Sequence, residues 1–145
     1  MWMNIERSDG DIEIDKMPVV SFVYNKNEEK FAFNPIIAEL GGIRSAGTER
    51  MMCLFSINEI EEKMAFQFTE ERPTRGFSLN EIRHFEKNEY TIIANTNNEI
   101  VRPRQWLKNL LIQDNPSENF IEHQFIARHD KENQWWVIDL TKKFK

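Results

Sequence analysis

Residues 64–87 read MAFQFTEERPTRGFSLNEIRHFEK, and the architecture of the whole chain turns on how they are parsed. Met64, Phe66 and Phe68 alternate with Ala65, Gln67 and Thr69, the two-residue period of a half-buried strand. Residues 70–76, EERPTRG, interrupt it: Pro73 has no N–H for a sheet ladder, and Gly76 is free to take positive φ. Ser78 and Glu81 then stand at capping-box spacing, and Phe77 and Ile82 at hydrophobic-staple spacing. Leu79, Ile82 and Phe85 would form one apolar helical stripe. The spacing therefore predicts strand, turn and a short helix over 79–87, with Ser78→Ala costing about 1 kcal/mol through the lost cap.

The same plan extends to either side. Val19–Tyr24 and residues 30–33 are expected strands around the polar turn Asn25–Glu29. Asn34 as N-cap, Pro35 in the first turn and Gly41 past the last bracket a helix Pro35–Leu40. Residues 51–57 and 64–69 make the next strand pair. Residues 90–94 and 99–101 flank the hairpin signal Asn95-Thr96-Asn97-Asn98. Pro103 opens a helix carrying Trp106, Leu107, Leu110 and Leu111 on one face. Residues 120–128 and 135–140 are a last hairpin. Strand, turn, strand, helix thus recurs over 19–40, 51–87 and 90–112. The expected class is α+β: a curved antiparallel sheet built from hairpins and packed by two or three short helices. Residues 18–145 form one domain, behind an acidic lead-in over 1–17.

Composition bounds the function. The 145 residues are 40% hydrophobic and 12% aromatic, enough for a sizeable core. Net charge is −5, unevenly spread: residues 1–72 hold 8 basic against 14 acidic side chains, and residues 73–145 hold 11 against 10. An acidic chain is a poor duplex-DNA binder, because that affinity comes largely from neutralised phosphates. The lone Cys53 excludes an intramolecular disulfide and, set in MMCLF, reads as an inert core thiol. No apolar run approaches the roughly 20 residues of a membrane helix, and the N-terminus lacks the pattern of a signal peptide. A cytoplasmic location is expected. The abundance of Asn, Lys, Glu and Ile is that of an AT-rich microbial or viral coding sequence.

Catalytic motifs are sparse. His123 and His129, six residues apart, would lie about 20 Å apart on one extended strand, too far to share a metal. His84 has no spaced partner. Glu28-x-Lys30 and Glu61-x-Lys63 match the tail of a nuclease signature at the frequency composition alone predicts, and both fall in expected turns. The Asp9–Asp15 carboxylates would repel on one strand face rather than enclose a cation. Neither catalytic residues nor a metal or cofactor is assigned, and an enzyme, a small hydrolase or nuclease, ranks third among functional readings.

Aromatic strands beside arginines stand out more. Lys30-Phe31-Ala32-Phe33 and Arg75-Gly76-Phe77 echo pieces of an RNA-recognition strand, although Phe-x-Phe on a strand is usually core. Trp135 and Trp136 point to opposite faces of a strand, one buried and one near the surface. Pro73-Thr74-Arg75-Gly76-Phe77-Ser78-Leu79, after a charged aromatic strand, resembles the signature of the positive-cofactor-type single-stranded DNA-binding proteins. The resemblance covers residues 51–87, with Phe77 where that family carries an aliphatic residue. It implies a helix after a four-stranded sheet, Arg72 and Arg75 as phosphate contacts, and Phe66 or Phe68 as stacking groups. Strand parity instead assigns those two rings to the core. The leading expectation is a non-enzymatic module preferring single-stranded nucleic acid, with Arg72, Arg75, Arg102 and Arg104 as its contacts. The competing expectation is an inhibitor, immunity or adaptor protein whose acidic surface meets a basic protein partner. A homodimer is compatible with either.

Overall fold

The computed structural model describes residues 17–43, 47, 50–70, 76–84, 89–112 and 120–144. Nine antiparallel strands run in the order β7-β1-β2-β6-β5-β3-β4-β9-β8. They are β1 (Val19–Tyr24), β2 (Glu29–Phe33), β3 (Met52–Asn58), β4 (Lys63–Thr69), β5 (Phe77–His84), β6 (Glu89–Asn95), β7 (Ile121–Ile126), β8 (Arg128–Asp130) and β9 (Trp135–Asp139). Two helices accompany them among the described residues, α1 (Pro35–Leu40) and α2 (Gln105–Leu111).

The ends of this order meet. β7 pairs with β1, and β8 pairs with β9, yet the two strands are separated only by Ala127. The Ala127 N–H donates to the Pro18 carbonyl at 2.9 Å, continuing the β1 ladder. On an extended strand, alternate residues bond to opposite edges. The backbone N–H and carbonyl of Gln124 therefore point away from β1, and that carbonyl accepts from the Phe144 N–H at 2.6 Å. One bent stretch, residues 121–130, thus serves as neighbour to β1 on one edge and to β9 and the following tail on the other. The sheet curls into a nearly closed barrel, not the α+β layering of hairpins and helices expected from the sequence.

The decisive correction falls on residues 77–84. They form β5 rather than the start of a helix. Leu79 through His84 register with β6 at six positions, and Met52 and Cys53 of β3 register with Ser78 and Phe77. Leu79 is buried, whereas Ile82 is exposed, so the helical stripe through Leu79 and Ile82 does not exist. A capping box is worth about 1 kcal/mol and is local. A helix here would leave β6 unpaired on this side and disconnect β3 from it. Long-range pairing outweighs the local signal. Phe85 and Lys87, which the expected helix includes, lie outside the described residues.

Apart from residues 99–101, the other strand expectations hold to within a residue or two, and α1 has its expected limits. The Asn34 side chain accepts from the N–H groups of Ile37 and Val19 and donates to the Met17 carbonyl at 2.5 Å. One residue thereby caps α1 and fastens β1 to β2. The lead-in expected over residues 1–17 lies, Met17 apart, outside the described residues.

The interior is filled by rings. Phe31, Phe33 and Phe66 are buried; Phe33 meets Phe66 and Phe68, and Phe55 meets Phe31 and Phe77, at centroid distances of 4.9–5.7 Å. The Phe66–Phe68 and Phe55–Phe66 pairs are wider, at 5.8 and 6.4 Å. The Phe-x-Phe pairs are accordingly core, as strand parity requires. The strand expected over 99–101 does not form. After the left-handed Asn97 and Asn98 (φ 53° and 61°), the N–H groups of Ile100, Val101 and Arg102 turn onto the carboxylate of Glu29 at 3.0, 2.8 and 3.2 Å. Glu29 is wholly buried and also receives the Thr96 hydroxyl. It fixes the entry to α2 at the N-terminal end of β2, whereas α1 leaves the opposite end.

A candidate binding groove on the outer face

Four strands, β8, β9, β4 and β3, place one row of outward residues side by side: Arg128, Val137, Ala65 and Ser56. Small side chains at Ala65 and Ser56 leave this row low. A groove of about 620 Å³ opens above it. The β3–β4 turn (Asn58, Glu59, Ile60, Glu61) lines one side, and Trp135 with Asp130 and Asn133 lines the other. Four residues of β4 separate the two sides, about 13 Å at strand rise.

Both walls are stiffened by their own side chains. In the β3–β4 turn the Glu61 N–H donates to the Asn58 side chain at 3.0 Å, and the Asn58 amide donates back to Glu61 at 2.9 Å. Ile60 at its tip is 95% exposed. In the β8–β9 turn Asp130 accepts from the N–H groups of Glu132 and Asn133 and from the Asn133 amide, while left-handed Gln134 (φ 57°) returns the chain. The Trp135 indole N–H also donates to Asp130, at 3.3 Å. Hydrogen bonds from Asn133, side chain first and then backbone, hold the Asp130 carboxyl below the usual carboxylate range. A carboxylate thus sits at the edge of a half-exposed indole.

The charge of the lining is mixed. Glu59, Glu61 and Asp130 face Lys63 and Arg128. Lys63 lies opposite Asp139 in the ladder and helps to lower its carboxyl, behind the stronger effect of the Thr141 hydroxyl. The Arg128 guanidinium makes no hydrogen bond or ion pair with the described residues. It sits diagonally across from Trp135.

The arginines singled out in the sequence behave differently. Arg102 donates to the Tyr24 hydroxyl at 3.1 Å and to the carbonyls of Asn25 and Lys26 at 3.1 and 2.7 Å, and lies over the Tyr24 ring. Arg104 donates to the carbonyls of Glu99 and Ile100. Both guanidinium groups are committed to the chain itself. Arg72 and Arg75 lie outside the described residues. Sequence reasoning passed over Arg128 and Asp130; the available signal was the Asp130–Asn133 turn beside Trp135.

Other candidates resolve structurally. Trp136 is buried beside His129, and Trp135 is the surface member of the pair. His123 contacts the Leu111 carbonyl at 2.9 Å at the end of α2. Glu28 is ion-paired with Lys30 at 3.1 Å. Burial pushes the Cys53 thiol well above its ordinary value. Among the described residues no three His, Cys, Asp or Glu side chains are placed to hold a metal ion, and no helix is long and apolar enough to cross a membrane. Comparisons with protein-family models, with curated proteins and with solved structures give no match.

Proposed function

We propose that this protein is a non-enzymatic interaction module that docks a segment of a protein partner in the outer groove of β3, β4, β9 and β8. The observation that carries this reading is an apolar floor between two stiff walls whose carboxylates outnumber the cations. Glu59, Glu61 and Asp130 would repel the phosphates of a nucleic-acid strand, but they complement a basic protein surface and speed its approach. Fully exposed Ile60 adds an apolar contact of the kind a protein surface covers. Commitment of Arg102 and Arg104 to internal carbonyls removes two cations from the nucleic-acid alternative.

Photo-crosslinking tests the proposal. A p-benzoylphenylalanine placed at exposed Ser56 in the groove should capture a discrete protein from a native-host lysate, insensitive to nuclease. The same group at exposed Asn80, on β5 outside the groove, should not. Equal capture at both positions, or nuclease-sensitive adducts at Ser56, would refute it.

A second reading, single-stranded nucleic acid, is favoured by the juxtaposition of Trp135 and Arg128, whose guanidinium has no partner among the described residues, a stacking surface beside a cation. It predicts a salt-sensitive shift of labelled single-stranded DNA or RNA that Trp135→Ala abolishes and that Arg72→Ala plus Arg75→Ala weakens.

A further inference from the structure

Trp135 and Asp130 form a unit whose geometry has a specific chemistry. The indole lines the groove, its N–H edge is tied to Asp130, and the turn holds that carboxyl in its charged form. A cation laid over the indole gains the attraction of the ring face, and the adjacent carboxylate adds an ion pair. Beyond the indole, the floor falls to Val137 and Ala65, which offer only apolar contact. Ile60 stands across the groove, with Glu59 and Glu61 on either side of it.

We infer that the groove receives an extended partner segment with a lysine or arginine seated against Trp135 and Asp130 and an aliphatic side chain lowered onto Ala65 and Val137. This rests on the protein-docking reading above and specifies its ligand. The occupant is argued from charge: three carboxylates and two cations line the groove. Neighbouring side chains on one face of an extended segment are two residues apart, about 6.6 Å, which matches the spacing from Trp135 to Val137 along β9. The predicted ligand pattern is therefore a cation and an aliphatic residue at positions i and i+2.

Selection from a random peptide library displayed on phage tests this without a known partner. The wild-type protein is the bait, and Ser56→Trp, which fills the groove from an exposed position, is the counter-bait. Peptides retained by wild type and lost on Ser56→Trp should carry Lys or Arg two positions from Ile, Leu or Val. Asp130→Asn should weaken those peptides roughly 2- to 5-fold, the ratio that a surface ion pair supplies. A norleucine-for-lysine peptide loses both contacts and should bind wild type roughly 3- to 30-fold more weakly than the lysine peptide, with nothing further lost on Asp130→Asn.

Groove-dependent peptides without a cation would overturn the inference while leaving the groove as a docking site. If no peptide distinguishes wild type from Ser56→Trp, the docking reading itself fails. Two further results would overturn both: an oligothymidylate that binds wild type and not Trp135→Ala, or a self-association seen by sedimentation that Ser56→Trp abolishes.

Discussion

Replacing Glu29 by glutamine is the sharpest test of how this barrel is held at one end. The wholly buried carboxylate accepts from Ile100 and the Thr96 hydroxyl on one oxygen, and from Val101 and Arg102 on the other. Glutamine keeps one acceptor and turns the other into a donor. If the amide nitrogen takes the Val101–Arg102 side, two backbone N–H groups face N–H. If it takes the other side, the Thr96 hydroxyl can rotate to accept, and only the Ile100 N–H is orphaned. The second arrangement wins, with one buried unsatisfied donor at about 1–3 kcal/mol. The two surviving bonds also lose the charge assistance that roughly doubles their strength. Relief of burying a charge offsets part of this loss. The expected net destabilisation is about 2–4 kcal/mol, a large share of the roughly 5–15 kcal/mol of an ordinary domain. Urea unfolding followed by tryptophan fluorescence should show the midpoint falling by about 1–2 M with an unchanged slope. Thr96→Val alone should cost about 1 kcal/mol, and less in the Glu29→Gln background, because the two residues share one network. A Glu29→Gln destabilisation of less than about 0.5 kcal/mol would refute the claim that this carboxylate anchors the turn into α2.

Three further outcomes are expected. Ser78→Ala should change stability by less than about 0.5 kcal/mol in the same urea assay, since Ser78 is an exposed strand residue and caps nothing; a loss near 1 kcal/mol would restore the helix. Arg102→Ala should lower thermal stability by about 1–3 kcal/mol through its lost contacts to Tyr24, Asn25 and Lys26. The carboxyls of Asp130 and Asp139 are both lowered in the folded state, so their stabilisation is present above the ordinary carboxylate range and disappears as pH falls through their folded values. Asp130→Asn plus Asp139→Asn should accordingly flatten the acid limb of a melting-temperature profile below about pH 4.

Much of the strand content was legible because two-residue alternation reports directly on burial: Phe31 and Phe33, Phe66 and Phe68, and Trp135 against Trp136 all face as their parity demands. The Asn34–Pro35–Gly41 bracket was legible for the same local reason. Ser78 and Glu81 misled because a capping box describes what a segment can do alone, whereas β5 is decided by β6 and β3. The role of Glu29 was hidden too. A glutamate beside a hairpin turn looks solvated until a segment about seventy positions away turns three N–H groups onto it. The groove was least legible, since its floor depends on which small residues four strands set in register. No local spacing carries Arg128 next to Val137, Ala65 and Ser56.

The bent stretch over residues 121–130 also dictates an order of events at the ribosome. Until it and β9 have been synthesised, β1 and β4 each carry a row of unpaired N–H and carbonyl groups, flanking a phenylalanine-rich interior that nothing has yet closed. Every earlier strand can find its neighbours as it emerges, but the barrel cannot shut. The nascent chain is therefore most prone to pair with another copy in the interval before residues 121–139 leave the exit tunnel. A stop codon placed just before Ile121 would make that interval permanent and yield an aggregating product rather than a smaller domain.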